Sequence, residues 1–338
     1  MTRVPAAISP RNISAAYLLV ALIVLFGILR PNTFLTETTF TSILSDEALT
    51  AVVAVGIVAA LATEQFDLSI AGGMALASVT SATLTATHGY STGTAIALTL
   101  LLGVVVGVLT GLLATKANIS SFIATLGMGS ILIASANAVS NQLDIIGLPA
   151  AFISLGDSQW LGIRLVVWIS LAVVVVLWFF LEHTASGRQM YAVGGNLEAA
   201  RLNGLRVDRL RIVAITISAT AASLAGILAT AGVAAGSTRT GPAYLLPAFA
   251  AAFLGSTQIK PGRVNVWGTV LAVFTLAVGV KGLELTGAPF WLSDLFNGAA
   301  LLIAVGLANN RIRMRRQPLL VESAKDPSES GNLVDASR

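Results

Sequence analysis

Residues 93–115 read GTAIALTLLLGVVVGVLTGLLAT, with no charged side chain, and residues 164–180 read RLVVWISLAVVVVLWFF. At about 1.5 Å of rise per residue, roughly 20 apolar residues of helix cross a hydrocarbon core about 30 Å thick. Backbone amides and carbonyls find no water at that depth, so blocks of this kind are helices in a bilayer. Working outward, ten apolar blocks can be drawn, at about 15–29, 48–63, 68–87, 93–115, 122–139, 163–181, 212–235, 243–256, 266–285 and 291–309. The expectation is an all-α polytopic membrane protein with about ten transmembrane helices. The eighth block is short and contains Pro247, so it reads as a short tilted span, a broken helix or a re-entrant piece.

Composition agrees with that class. Of 338 residues, 55% are hydrophobic and 11% charged, with a mean hydropathy of +0.84. A soluble domain carries about a quarter charged residues. The absence of Cys excludes disulfides and thiolate chemistry. His88 and His183 fall at block ends and read as interfacial or loop residues. No Ser-His-Asp order, H-E-x-x-H or G-x-x-x-x-G-K-[ST] stands out. No catalytic, metal-binding or cofactor-binding residue is therefore expected on this chain.

The formal charge of +4 is explained by topology rather than by nucleic acid. With a cytoplasmic amino terminus and ten crossings, the cytoplasmic parts are 1–14, 64–67, 116–121, 182–211, 257–265 and 310–338. These hold sixteen of the twenty basic residues, leaving Arg30, Arg164, Arg239 and Lys281 elsewhere. Basic clusters at 201–211 and 311–316 share a side only if an even number of spans separates them, which favours counting the eighth block. Both termini are then cytoplasmic. The division is a segment 1–14, a transmembrane domain 15–309 and a tail 310–338, polar and expected to be disordered from about 317.

Inside the blocks, Gly103, Gly107 and Gly111 recur every four residues on one helical face. They read as helix packing within the bundle or at a subunit interface. Lys281 and Glu284 lie three apart towards the outer end of the ninth block, either paired locally or lining a polar path. The stretch TEQFDLS at 63–69 separates two blocks with almost no loop. Its Asp67 and Ser69 either cap the following helix or, if that helix starts within the membrane, face a translocation path.

The long inner loop 182–211 is too polar to cross. Gly194 and Gly195 read as a turn, Asn196 as the cap of a short helix from Leu197, with Glu198 in its first turn and Gly204 where the chain turns back. GRQMYAVGGNLEAARLNGLRVDRLR here resembles the coupling region of the ribose-type branch of ATP-binding-cassette permeases, the membrane subunits of monosaccharide importers. FDLSIAGGMALAS (66–78), ANISSFIATLGM (117–128), FLGSTQIKPGRVNVWGTVLA (253–272) and PFWLSDLFNGAALLIAV (289–305) resemble the same family in the same order.

The resemblance implies that Glu198, Ala199, Ala200 and Gly204, and more loosely Gly195 and Arg201, contact a separate ATPase that holds ATP and magnesium. It also implies a second permease copy or related permease, an extracytoplasmic solute-binding protein, and a place in the lipid of the bacterial inner membrane. Ala71 departs from the family's usual Gly, and YLLPAFAAAFLG departs from its acidic run, which leaves the path's local geometry open. The rivals are an ion-coupled carrier using Lys281, Glu284 or Asp67, and a non-transporting scaffold.

Overall fold

The computed structural model of the chain describes residues 14–117 and 119–316. The expected segment 1–14, apart from its last residue, and the tail from 317 lie outside the described residues. Fourteen α-helices are described: α1 (Ser14–Leu29), α2 (Pro31–Phe34), α3 (Glu37–Leu61), α4 (Ile70–Ala82), α5 (Thr92–Lys116), α6 (Ser121–Ser140), α7 (Ala150–Asp157), α8 (Leu165–His183), α9 (Ala185–Gly195), α10 (Leu197–Leu202), α11 (Val207–Val233), α12 (Pro242–Gly255), α13 (Val266–Leu285) and α14 (Trp291–Arg316). A π-helical turn, Thr83–Thr87, extends α4, and a two-residue hairpin pairs β1 (Gln159–Trp160) with β2 (Ile163–Arg164).

Seven helices are long and apolar enough to cross a membrane: α3, α4 with its π turn, α5, α6, α8, α11 and α13. Shorter apolar stretches lie in α1, α12 and α14. Capping side chains fix many of the starts. Thr36, Ser91, Ser120, Thr184, Asn196 and Asn265 each accept from a backbone amide three residues on, satisfying donors that have no partner within the helix.

One boundary differs from the sequence reading by a functional margin. The block drawn at 48–63 belongs to a helix that starts at Glu37, because Thr36 caps it and Ser42, Ser45 and Thr41 are satisfied within it or by Asp46. Asp46 and Glu47 therefore sit inside α3, not in a loop.

Helix α11 is the centre of the bundle, packing on α3, α4 and α5, with α12 and α13 closing the other side of α3. Residues 48–60 of α3 are buried without interruption, and so is nearly all of α4. Small residues make this possible. Gly103, Gly107 and Gly111 all face α11, where a Cβ would come to 2.7 Å from Ser223 Cβ, 2.6 Å from Thr216 Cα and 2.9 Å from Ile212 Cα. Backbones that close gain dispersion contacts, the main attraction between helices in lipid.

Candidate functional site

Two breaks interrupt the helices of the bundle. The first break is between α3 and α4, residues 62–69, and it is not a surface loop. Thr63, Gln65, Asp67 and Ser69 are all at most 1% exposed. Helix α6 supplies the partners the break lacks. Thr125 Oγ1 accepts from Leu68 N at 3.1 Å and donates to the Phe66 carbonyl at 3.1 Å, while Ser121 Oγ accepts from Phe66 N at 3.3 Å. Thr125 is one turn into α6, and Gly129, a further turn in, faces Leu68 and Ser69. The start of α4 is thus about 12 Å along α6 from that helix's own first turn.

The alternatives for Asp67 and Ser69 separate here. Ser69 stands at the N-cap of α4 but its side chain caps nothing. Asp67 Oδ1 instead accepts from Ser69 N at 3.1 Å and from Ser69 Oγ at 2.5 Å. The Ser218 hydroxyl of α11 is close enough to stabilise this carboxyl, although neither it nor Asp67 Oδ2 meets a partner at hydrogen-bond geometry, and Gln65 Nε2 is likewise buried without one. Asp67→Asn retains the Oδ1 acceptor and is expected to unfold within about 1 kcal/mol of the parent, whereas Asp67→Leu orphans both Ser69 donors and should cost roughly 1–3 kcal/mol, read by thermal unfolding in detergent.

The second break precedes α12. After α11 ends, the chain descends along α4. Gly236 exchanges two backbone hydrogen bonds with Ile145, both 2.9 Å, and lies against Ala82. Ser237 N donates to Ser78 Oγ at 3.0 Å, Ser78 also accepts from Thr230 at 2.7 Å, and Gly241 meets the carbonyl of Ala71. From Ala82 to Ala71 is about 16 Å of helix. Helix α12 therefore begins deep in the bundle. Its 14 residues rise about 21 Å, and Phe253 near its end pairs with Phe66 at 6.1 Å between ring centroids. The eighth block is a short helix preceded by a descending segment that turns at 238–241. Pro247 falls inside it.

Beneath the first break sits the loop 182–211, and here the structure corrects the sequence reading. Gly194 and Gly195 are the end of an eleven-residue helix, α9, not a turn. Gly194 is required by proximity, since a Cβ there would lie inside contact distance of the Ala62 carbonyl oxygen. Met190 and Val193 on α9 are buried in the same core as α3.

Helix α10 follows directly. Asn196 Oδ1 accepts from Ala199 N at 3.0 Å, and Asn203 Nδ2 donates to the Ala199 carbonyl at 2.8 Å. Gly204 adopts φ +77°, Gly204 N donates to Arg201 O at 2.9 Å and Leu205 N to Ala200 O at 3.1 Å. That pair of bonds is a Schellman ending. Glu198, Ala199, Arg201 and Leu202 are exposed, Leu202 at 89%, while Ala200 is buried. Gly195, grouped with them by the sequence, has open space around it. Asp208 at the start of α11 bonds Lys116 at 2.5 Å and reaches Arg201 at 3.9 Å, tying α10 to α5 and α11.

At the other end of the bundle Lys281 and Glu284 do pair, at 3.6 Å, but they also face α3. Glu47 lies within electrostatic reach of both, and of Tyr244. Sequence reading placed Glu47 outside its span, so the cluster was visible only as its α13 half. A cavity of about 860 Å³ lies elsewhere, between α1, α3 and α13, with Leu19, Ile23, Phe40, Trp267 and Phe274 in its wall. Such a lining suits acyl chains and offers little to a polar solute. No His/Cys/Asp/Glu cluster among the described residues has the makings of a metal site.

Comparison with known proteins adds an independent line. The sequence pattern of the family described as "Branched-chain amino acid transport system / permease component" matches residues 39–305. The ribose import permease protein RbsC of Escherichia coli (strain K12) is 31% identical over 306 residues, covering 87% of this chain and 93% of the relative. The autoinducer 2 import system permease protein LsrC of Photorhabdus laumondii is 30% identical over 297 residues, covering 87% of this chain and 89% of the relative. No solved structure matches.

Proposed function

The chain belongs to this family of permease components and is the membrane subunit of a binding-protein-dependent importer, and we propose that it carries a monosaccharide or a similar small polar solute inward. The observation that carries the reading is the coupling geometry. A short helix, capped at both ends, exposes Glu198, Ala199, Arg201 and Leu202, and the helix before it rests through Gly194 on the break between α3 and α4.

In this reading ATP and magnesium are held by a separate cassette ATPase, which docks on α10. The end of the bundle bearing α9 and α10 is cytoplasmic, with both termini, and the opposite end receives a loaded solute-binding protein. The segment at 234–241 and α12 together count as one crossing, giving ten in the inner membrane. A second copy or a related permease completes the path. The apolar cavity beside α1 takes lipid.

Closure of the ATPase domains pushes α10, and α9 transmits the push to the α3–α4 break. Ser69 at the start of α4 and Gly241 at the start of α12 lie on the interrupted spans, so a shift there alternates access across the bundle. A neutral solute is bound by hydrogen bonds rather than by a fixed charge, which fits the few charges in the interior.

The test is ATPase activity in liposomes that hold this chain, its cassette ATPase and its binding protein, against a panel of monosaccharides. Stimulation of at least about fivefold by one loaded binding protein is expected, the scale of a modest coupling free energy. An assembled complex with no stimulation, or uptake driven by an ion gradient and lost in Glu47→Gln, overturns it.

A further inference from the structure

Glu182, the last residue but one of α8, has a side chain only 10% exposed. A carboxylate so withdrawn from water needs partners. It has two, Lys260 Nζ at 2.5 Å and Arg263 Nη2 at 2.9 Å, both from the turn that joins α12 to α13. The Arg263 guanidinium is engaged a second time, 3.6 Å above the ring of Tyr191 in α9. Burial pushes the Tyr191 phenol up to about 12, the Arg263 cation beside it opposing that shift, and the hydroxyl meets no partner at hydrogen-bond geometry. What Tyr191 offers is a face for a cation.

The turn that carries Arg263 is itself rigid. Asn265 Nδ2 donates to the carbonyls of Gly255, Gln258 and Arg263 at 3.2, 3.0 and 3.2 Å, while its Oδ1 accepts from Gly268 N at 2.8 Å. Displacing Arg263 therefore displaces the inner ends of α12 and α13. Tyr191 and Gly194 are three residues apart on one face of α9. Gly194 seats on the first interrupted span, and Tyr191, through Arg263, seats on the second.

We infer that Arg263, held between Glu182 and Tyr191, is the positioning residue that gears the α12–α13 turn to α9, so that displacement of α10 moves both interrupted spans together. This deepens the importer reading, because it takes α10 as the element that the ATPase pushes. The gearing sends one push to both sides of the Ala71–Gly241 contact, where a push on α4 alone would only pry that contact apart.

The chain has no Cys, so spin labels can be placed without background. Labels at Gln189→Cys on α9 and Pro261→Cys on the turn, in the permease alone in lipid nanodiscs, should give one narrow distance distribution. Arg263→Gln and Tyr191→Leu should broaden it, while Arg263→Lys and Tyr191→Phe, which keep the cation and the ring, should not. In the reconstituted importer the first pair should lower solute moved per ATP about fivefold or more, and the second pair should leave it near parental. A distribution that stays narrow in Arg263→Gln and Tyr191→Leu overturns the gearing, as does unchanged solute per ATP. The spectroscopic arm needs neither ATP nor partners, so a failure of the importer reading leaves it decisive.

Discussion

Gly241→Ala is expected to cost the permease at least about tenfold in uptake per molecule in the membrane, and to lower its thermal midpoint in detergent. A single methyl group is responsible. A Cβ at 241 would overlap the Ala71 carbonyl, whose own position is fixed by the first turn of α4. No flexible side chain is there to yield, so the backbones of α4 and α12 must separate. Overpacking of this kind costs typically 1–3 kcal/mol, and about 1.4 kcal/mol is a factor of ten in any equilibrium that depends on the contact. Gly298→Ala on α14, where nothing lies within 4 Å, is the control and should behave as the parent. Parental uptake by Gly241→Ala would mean that the two interrupted spans do not need to meet.

The second large effect belongs to α10. Gly204→Val should reach the membrane at the parental level yet lose at least about tenfold in uptake and in solute-stimulated ATPase. At φ +77° a β-branched residue is strained by roughly 1–2 kcal/mol, and the two bonds that end α10 are lost with the conformation. Gly204→Asn, which tolerates that conformation, should keep most activity. Glu198→Arg should act differently, sparing the helix but reversing the charge at its exposed first turn, with the same loss of stimulation. Gly195→Ala should change little, because its surroundings are open. Normal stimulated ATPase in Gly204→Val and Glu198→Arg, at normal expression, would remove α10 from the coupling route.

Much of this was legible in the sequence because lipid imposes one rule on every span. The strongest blocks, at 93–115, 163–181 and 291–309, correspond to α5, α8 and α14, although the apolar part of α14, Trp291–Gly306, is shorter than a full span, and Asn196 and Gly204 marked α10 through chemistry that is local to a few residues. Reading failed where a feature depends on contacts distant in the chain. Gly194 looked like a turn because its reason, the Ala62 carbonyl, is 132 positions away, so that a long-range contact and not a local φ demands glycine there. The block containing α3 was drawn from 48, just past Glu47, because α3 begins with threonines and serines that satisfy themselves inside the helix. Pro247 and Ser69 flagged the two interruptions, but nothing in the sequence said that their helices start next to each other. Nothing in the sequence joined Arg263 to Glu182, since pairing across 81 positions leaves no periodic signal.

Helix α12 also bears on how such a chain is made. At 14 residues it is too short to be recognised on its own by the machinery that hands nascent helices sideways into the bilayer, and the stretch before it, GSTRTG, is polar. Ser78 and Ala71, which shelter that stretch, belong to a helix synthesised long before. Biogenesis must therefore hold α11 back at the lateral exit, or let the 234–255 segment enter late against an already seated α4. A ribosome stalled just after Gly255 should then present a chain whose last segment is still accessible to water-soluble modifying reagents, and which becomes protected only once α13 has followed.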